Sequence, residues 1–360
     1  MKTIRILGIR GIPAAHGGFE TFAEHLSLYL ASKNWKVIVY CQEEGAGHIW
    51  QDEWHGIQRM HIPVQRTGPL GTIIFDWKST LHAAREKSPC LILGYNTAIF
   101  TLILRLLGIY SFINMDGIEW SRAKWGPIAK LWFWLNDWAG CWLGNHLIAD
   151  HPEIAKHLRT RVSNKKITTI AYGAEEVTTA SSELLDQWSL VPGGFLTLVA
   201  RAEPENSILE VVQGFSARPR GIKLVVLGSY SPSHPYQRKV MESASNEVIF
   251  AGAIYEKDIV QALRFLQHDL RARSPSWRTN PSLVEALGAG NAILAHDNPF
   301  NRWVAGESAL YFKDALSFSN LLEELLAAPQ RIPLMKESSR QRFSENFTCK
   351  TSLATTKHCF

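Results

Sequence analysis

The sequence predicts an α/β protein built from two doubly wound, Rossmann-like domains that face each other across a cleft. Three observations carry that prediction. Short apolar runs alternate with helical periodicity from residue 3 to residue 170, and the same alternation restarts at Phe195. The stretch between, residues 175–194, loses periodicity and fills with Thr, Ser, Pro and paired Gly. The chain also has 360 residues, and single cores stop growing beyond about 250–300.

The elements follow in order. Residues 3–9 read as a buried parallel strand, 10–18 as a loop and 19–33 as a helix. Strands at 36–42 and 58–64, a helix at 75–87 and a strand at 90–93 come next. Then come a helix at 97–107, a strand at 111–114, a Trp-rich helix at 125–147 and a strand at 147–149. A helix at 153–158 and a strand at 166–170 close the first half. The second half reads as strands at 195–200, 223–227 and 248–251, with helices at 207–216 and 256–265. A helix opens at Pro281 and ends at Gly288 and Gly290, with a strand at 292–295 and a helix at 316–328 behind it. The expected organisation is a first domain at 1–174, a linker at 175–194, a second domain at 195–345 and an atypical tail at 346–360.

Composition narrows the function. Hydrophobic residues make up 46% and charged residues 20%, which describes a globular chain and excludes a disordered one. Lys and Arg outnumber Asp and Glu by 19 to 17 over residues 1–194 and by 19 to 16 beyond. A basic excess spread so evenly makes no nucleic-acid face. Five Cys without CxxC spacing suit a reduced, cytoplasmic protein without structural zinc. Residues 1–13 lack the order of a secretory signal, and 99–113 is too short to span a bilayer. Residues 125–147 carry Trp132, Trp134, Trp138 and Trp142, but also Lys130, Asn136 and Asp137. That helix reads either as a core helix with bulky packing or as a membrane-surface element.

Candidate site residues lie where strands end. Gly17 and Gly18 let backbone approach a bound group beside a helix N-terminus, with His16 next to them. The loop is not GxGxxG, so a nicotinamide cofactor is not expected. Tyr95, Asn96, Asp150 and His151 follow strands and are candidates to line the cleft. Asp116 and Glu119 follow another strand and could face a sugar. Arg201 suits a diphosphate, which its planar fork binds through two hydrogen bonds. Thr279, Asn280, Pro281 and Ser282 make a turn into a helix whose first N–H groups suit phosphate or sugar hydroxyls. Glu285, one turn in, can take two vicinal hydroxyls such as those of a ribose. There is no metal-ligand spacing, DxD pair, P-loop or G-x-S-x-G elbow.

These residues carry a resemblance. The runs RGIP and HGGFET near the N-terminus, LGYNT, DGIEW, IADHP, AR with EPEN, and TNPSLVEALGAGNAILAHDNPFNRWVAG occur in order along the chain. Together they resemble retaining GT-B glycosyltransferases of family 4, and more narrowly the bacterial rhamnosyltransferase-like branch that builds surface polysaccharide. The resemblance implies that Gly17 and Gly18 approach the donor diphosphate and that Asp116 faces the transferred sugar. It implies that Arg201 binds the diphosphate, with Glu205 beside the donor. The turn of Thr279, Asn280, Pro281 and Ser282 would offer backbone N–H groups, those of its non-proline residues, to sugar and phosphate, and Glu285 would bind the ribose. It implies transfer with retention, no metal, a nucleotide-sugar donor and a lipid-linked saccharide acceptor at the inner face of the cell membrane.

The chain departs from that pattern in places. Asn206 stands where many family-4 enzymes have Lys, and Trp277 where an E-x7-E pattern has Glu. Residues 266–278, LQHDLRARSPSWR, replace a strand and a His-Gly-His-x-Val-Gly-Gly loop. They can be encoded so that reading one base later gives CSMTYAHGHQVGG, which points to two compensating single-base shifts. The tail CKTSLATTKHCF invites the same explanation. With Asp269, Arg271, Arg273, Pro275 and Arg278 in it, the segment is expected to leave the sheet as a loop. Three readings follow: an active glycosyltransferase using a donor such as dTDP-rhamnose, a catalytically impaired homologue, and a GT-B-fold sugar-nucleotide epimerase using Asp116 and Glu119 as acid and base.

Overall fold

A computed structural model describes the chain except for residues 15–16, 123, 255, 268–269 and 274–280, and describes residues 270–273 by their backbone. The chain forms two compact units. One is Met1–Tyr172 with Ser352–Phe360, the other Gly173–Thr351.

The first unit is built on the strands Thr3–Leu7 (β1), Lys36–Glu44 (β2), Trp50–Trp54 (β3), Ile57–Val64 (β4), Cys90–Leu93 (β5), Ser111–Asn114 (β6), His146–Ala149 (β7) and Ile167–Thr169 (β8). Their order is β3-β4-β2-β1-β5-β6-β7-β8, all parallel except β3, which pairs antiparallel with β4. Central strands such as β5 (CLIL) are buried at every position. That is why they read as unbroken apolar runs: helices cover both faces of a parallel sheet. Its helices are Gly18–Ala31 (α1), Gly68–Ala83 (α2), Thr101–Leu106 (α3), Pro127–Leu143 (α4) and Pro152–Arg159 (α5). Helix α2 begins seven residues before the expected 75, because Pro69 fixes φ for the first helical turn. Strand β3 was not anticipated. It is an exposed edge of sequence WQDEW held by cross-strand contacts, with Asp52 on Arg59 and His61 and the Trp50 ring stacked 3.7 Å from that of His61.

The second unit is built on Phe195–Val199 (β9), Lys223–Leu227 (β10), Val248–Gly252 (β11), Leu270–Arg273 (β12), Ala292–His296 (β13) and Ala309–Phe312 (β14). The order β11-β10-β9-β12-β13-β14 is all parallel. That order runs outward both ways from its first strand, the doubly wound dinucleotide-type arrangement. The helices are Ile208–Ser216 (α6), Pro235–Glu242 (α7), Lys257–Phe265 (α8), Pro281–Gly288 (α9), Pro299–Ala305 (α10), Ala315–Ala327 (α11) and Arg331–Asn346 (α12). Ile208, Val211, Val212 and Phe215 recur at helical spacing and pack with Phe318, Leu322 and Leu325 of α11 against the sheet. Residues 175–194 contribute Leu185 and Leu190 to this unit's other core face.

The expectation that residues 266–278 leave the sheet is corrected for 270–273. Their backbone is β12, paired with β13 at four positions and with β9 through Arg271 and Thr197. The physical reason lies in the neighbours. Without a strand there, β9 and β13 would bury facing rows of unpaired N–H and C=O groups, each costing about 1–3 kcal/mol. That outweighs a sequence poorly suited to a strand. Gln267 assists: its buried side-chain oxygen accepts the Thr197 N–H at 2.9 Å. Residues 268–269 and 274–278 lie outside the described residues.

The tail is a helix, Cys349–Cys359 (α13), and the chain rejoins the first unit at Ser352. There the Ser352 hydroxyl donates to Ala171 O at 2.8 Å, and the Phe360 ring packs 4.8 Å from Phe112 and 6.1 Å from Trp35.

Candidate functional site

Ligands of doubly wound sheets sit beyond the carboxyl ends of the strands, where the strand order reverses. In the first unit that point lies between β1 and β5, and in the second between β9 and β12. The described candidates group accordingly.

At the first switch point the chain leaves β1 through Gly8, whose φ is +82°. A Cβ there would lie 2.5 Å from Leu93 O at the end of β5. The two strand ends therefore pass so closely that only glycine fits. Gly17 caps α1 and Gly18 begins it. The loop before them is tied to that helix: Ala14 N–H donates to Glu24 at 2.6 Å and Arg10 N–H to Glu20 at 3.5 Å. His16 lies outside the described residues.

Tyr95 and Asn96 follow β5. Tyr95 is buried, and its hydroxyl accepts the Glu119 N–H at 2.8 Å. Burial pushes its phenol far above the ordinary range, so it stays neutral. Asn96 is exposed and its carbonyl accepts the Trp132 indole N–H at 2.8 Å. Asp116 follows β6, is buried, and sits at φ +24°, a conformation few residues other than Asn, Asp and Gly adopt readily. Its own N–H donates to the Asn114 side chain at 3.2 Å. Glu119 is buried three residues on, with Arg122 at 2.9 Å and the Trp125 indole at 3.0 Å on its two oxygens. Those bonds tie Glu119 to Arg122 and Trp125 of the segment that follows it. Asp150 and His151 follow β7 and are buried. His151 caps α5, its Nδ1 accepting the Glu153 N–H at 3.0 Å, which puts any ring proton on Nε2.

Next to Asn96, the Thr97 hydroxyl donates to buried Asp76 at 2.8 Å. Burial raises the Asp76 carboxyl to about 7, opposed by that hydrogen bond. Its folded pKa lies above its unfolded value, so its stabilisation is complete below about pH 4 and is lost as pH rises through 7. The loss across that window is expected to reach about 4 kcal/mol at most. Urea unfolding at pH 4.5 and 7.5 checks this: Asp76→Asn should gain stability relative to wild type as pH rises. An equal difference at both pH values would contradict it.

At the second switch point Arg201 is exposed just past β9. Its carbonyl accepts the Asn206 side chain at 2.8 Å, which fixes the 201–206 turn holding half-buried Glu205. Pro281 and Ser282 open α9, while Thr279 and Asn280 lie outside the described residues. Helix α9 packs tightly. A Cβ on Gly288 would lie 2.7 Å from Glu175 O and 2.9 Å from the Phe343 ring. Glu285 is half-buried and forms an ion pair with Arg264, whose side chain is largely buried. Arg264 comes from the end of α8, and no spacing in the sequence joins it to Glu285. The Arg264 carbonyl in turn accepts Gln267 and Asn291 side chains, each at 2.9 Å.

Thus the first unit gathers Gly17, Gly18, Tyr95, Asn96, Asp116, Glu119, Asp150 and His151 on the carboxyl end of its sheet. The second gathers Arg201, Glu205, Pro281, Ser282 and Glu285 on the same end of its own.

Residues 1–175 match the family described as "Domain of unknown function (DUF1972)". No curated protein matches the chain. Solved structures are similar along its whole length. Sucrose-phosphate synthase from Thermosynechococcus elongatus has a TM-score of 0.80 at 17% identity, covering 100% of this chain and 98% of that one. HepE of Anabaena in complex with UDP-glucose has 0.77 at 13%, covering 100% of both chains. An α,α-trehalose-phosphate synthase (UDP-forming) from Burkholderia xenovorans, bound to glucose-6-phosphate, has 0.75 at 11%, covering 100% and 99%. The fold is therefore GT-B, as expected from the sequence.

Proposed function

We propose that this chain is a retaining glycosyltransferase that moves a sugar, such as rhamnose from dTDP-rhamnose, to a lipid-linked saccharide. The reading places it in the cytoplasm, peripheral on the membrane, in polysaccharide assembly. What supports it is that Arg201, Glu205, Pro281, Ser282 and Glu285 all lie in segments following β9 and β12 of the second unit, in a fold similar end to end to a protein solved with UDP-glucose.

Each residue has a role. Arg201 and the backbone N–H groups of Thr279, Asn280 and Ser282, in the turn that Pro281 leads into α9, take up charge on the leaving diphosphate. Glu285, steadied by Arg264, accepts the ribose hydroxyls. In the first unit Gly17 and Gly18 give the donor phosphates close backbone approach, and Asp116 meets the transferred sugar. The acceptor hydroxyl oxygen bonds to the anomeric carbon on the face from which the diphosphate leaves. The diphosphate keeps the electron pair of the broken C–O bond, and a phosphate oxygen takes the acceptor's proton. The reading needs no metal.

A thermal-shift panel of nucleotide sugars tests it. A true donor at a hundred times its Kd stabilises the fold by about 2.7 kcal/mol. A shift with one base and sugar class supports the reading, and no shift with any of them overturns it.

The composition of residues 266–278 favours a second reading, a catalytically impaired homologue that keeps the fold. Resequencing the gene separates an altered reading frame from a genuine substitution.

A further inference from the structure

We propose that the outer face of α4 docks this protein on a bilayer surface carrying anionic lipid. Helix α4 is inverted relative to an ordinary surface helix. Its inward face carries its polar groups. Asn136 accepts the Ile99 N–H at 3.0 Å, and Asp137 accepts the Trp120 indole at 2.7 Å and lies 3.0 Å from His157. Its outward face is apolar: Ile128 is 87% exposed, Leu131 57%, Leu135 50% and Trp142 59%, with Trp134 beside them at 42%. Positions 128, 131, 135, 138 and 142 follow helical spacing, so they form one stripe. Trp134, Trp138 and Trp142 meet edge to face at 6.1 and 5.1 Å. Helix α3 packs alongside and adds exposed Leu102, Leu106 and Leu107. Contiguous apolar surface of this kind marks an interaction site.

Charge selects the occupant. From residue 87 to residue 152 the carboxylates are Asp116, Glu119, Asp137 and Asp150, and all four are buried. The bases of the same span include exposed Arg105 and Lys124 and half-buried Lys130. The stripe thus has a cationic rim with no exposed acid in that span. Two copies meeting symmetrically would set like charges against each other, whereas an anionic lipid surface complements both rim and stripe. Trp and Leu on one face with Lys and Arg at its margins is the pattern of interfacial helices. An open groove of about 540 Å³, lined by Trp120, Ser121, Lys130, Leu131 and Trp134, borders the stripe and gives a lipid phosphate a cation. Among the described residues no helix is long and apolar enough to cross a membrane, so the contact is with the surface.

The inference deepens the membrane part of the proposed function and rests on it for the nature of the acceptor. The test is co-sedimentation of the full chain with phosphatidylcholine vesicles, with and without phosphatidylglycerol, at low and high salt. Wild type should bind the anionic vesicles and release in salt. A triple variant, Ile128→Ser with Leu131→Ser and Leu135→Ser, should bind at least about tenfold more weakly. A second variant, Lys124→Glu with Lys130→Glu, should lose the preference for anionic vesicles. No vesicle binding by wild type, or undiminished binding by the triple variant, would overturn the proposal. So would a wild-type dimer that the triple variant converts to monomer, since a second copy would then cover the face. The donor thermal shift is read on the same proteins. Vesicle binding without any donor response leaves the docking face standing and sinks the donor reading, and the reverse result does the opposite.

Discussion

Replacing Arg201 with alanine is expected to lower the rate of sugar transfer by about 10²–10³, the usual cost of losing one positioned donor to developing charge. The side chain is exposed at the carboxyl end of β9, the first strand of the doubly wound order, so its removal leaves the core untouched. The turn that carries it is held through its backbone by Asn206, and survives the change. The loss should therefore appear in kcat with the melting temperature nearly unchanged. Arg201→Lys keeps the charge but not the fork, and should recover only part of the rate. Steady-state kinetics with a saturating donor measures this. A change under threefold would remove Arg201 from the reaction.

Asp137→Ala is expected to destabilise the first unit by about 3–5 kcal/mol, the range for removing one partner of a buried ion pair. Asp137 is buried on the inner face of α4 and holds three groups at once: the Arg161 guanidinium, the His157 ring and the Trp120 indole. Truncation strands Arg161, which is itself buried and stacked 4.5 Å from the Trp138 ring. A hydrophobic replacement cannot repair that, because the cation stays in a low-dielectric site. Asp137→Asn retains an acceptor for Trp120 and should cost less than Ala. Equilibrium urea unfolding reads both, and a cost below about 1 kcal/mol for Asp137→Ala would mean that Arg161 finds water.

Much of the fold was legible, for a physical reason. Parallel strands covered on both faces are largely apolar, so runs such as CLIL and KLVVL announce themselves, and their ends mark where candidate residues are sought. The short apolar strand β14, ALYF, escaped as well, and most of the rest that escaped lacked that signature. Strand β3 is an exposed edge of charged and aromatic residues, and α7 is a short, mostly exposed helix with one buried residue, Val240. Strand β12 was misread because its place is set by unpaired backbone on its neighbours, which no local pattern records. Among the candidate residues, the position at a strand end was legible wherever one sits directly behind a strand, as Arg201 and Asp116 do. The pairing of Arg264 with Glu285 was not, since it depends on α8 and α9 lying side by side. Nor was the orientation of α4: adjacent Asn and Asp in an apolar helix would ordinarily face water, and only their buried partners show that they face inward.

The central claim is that the second unit binds a nucleotide sugar through Glu285 and the start of α9. Calorimetric titration of the full chain with dTDP-rhamnose and UDP-glucose tests it most directly. The account predicts saturable binding of at least one donor with Kd at or below about 1 mM, or about −4 kcal/mol, weakened at least tenfold by Glu285→Gln. Absence of binding, or equal affinity in the two proteins, would contradict it.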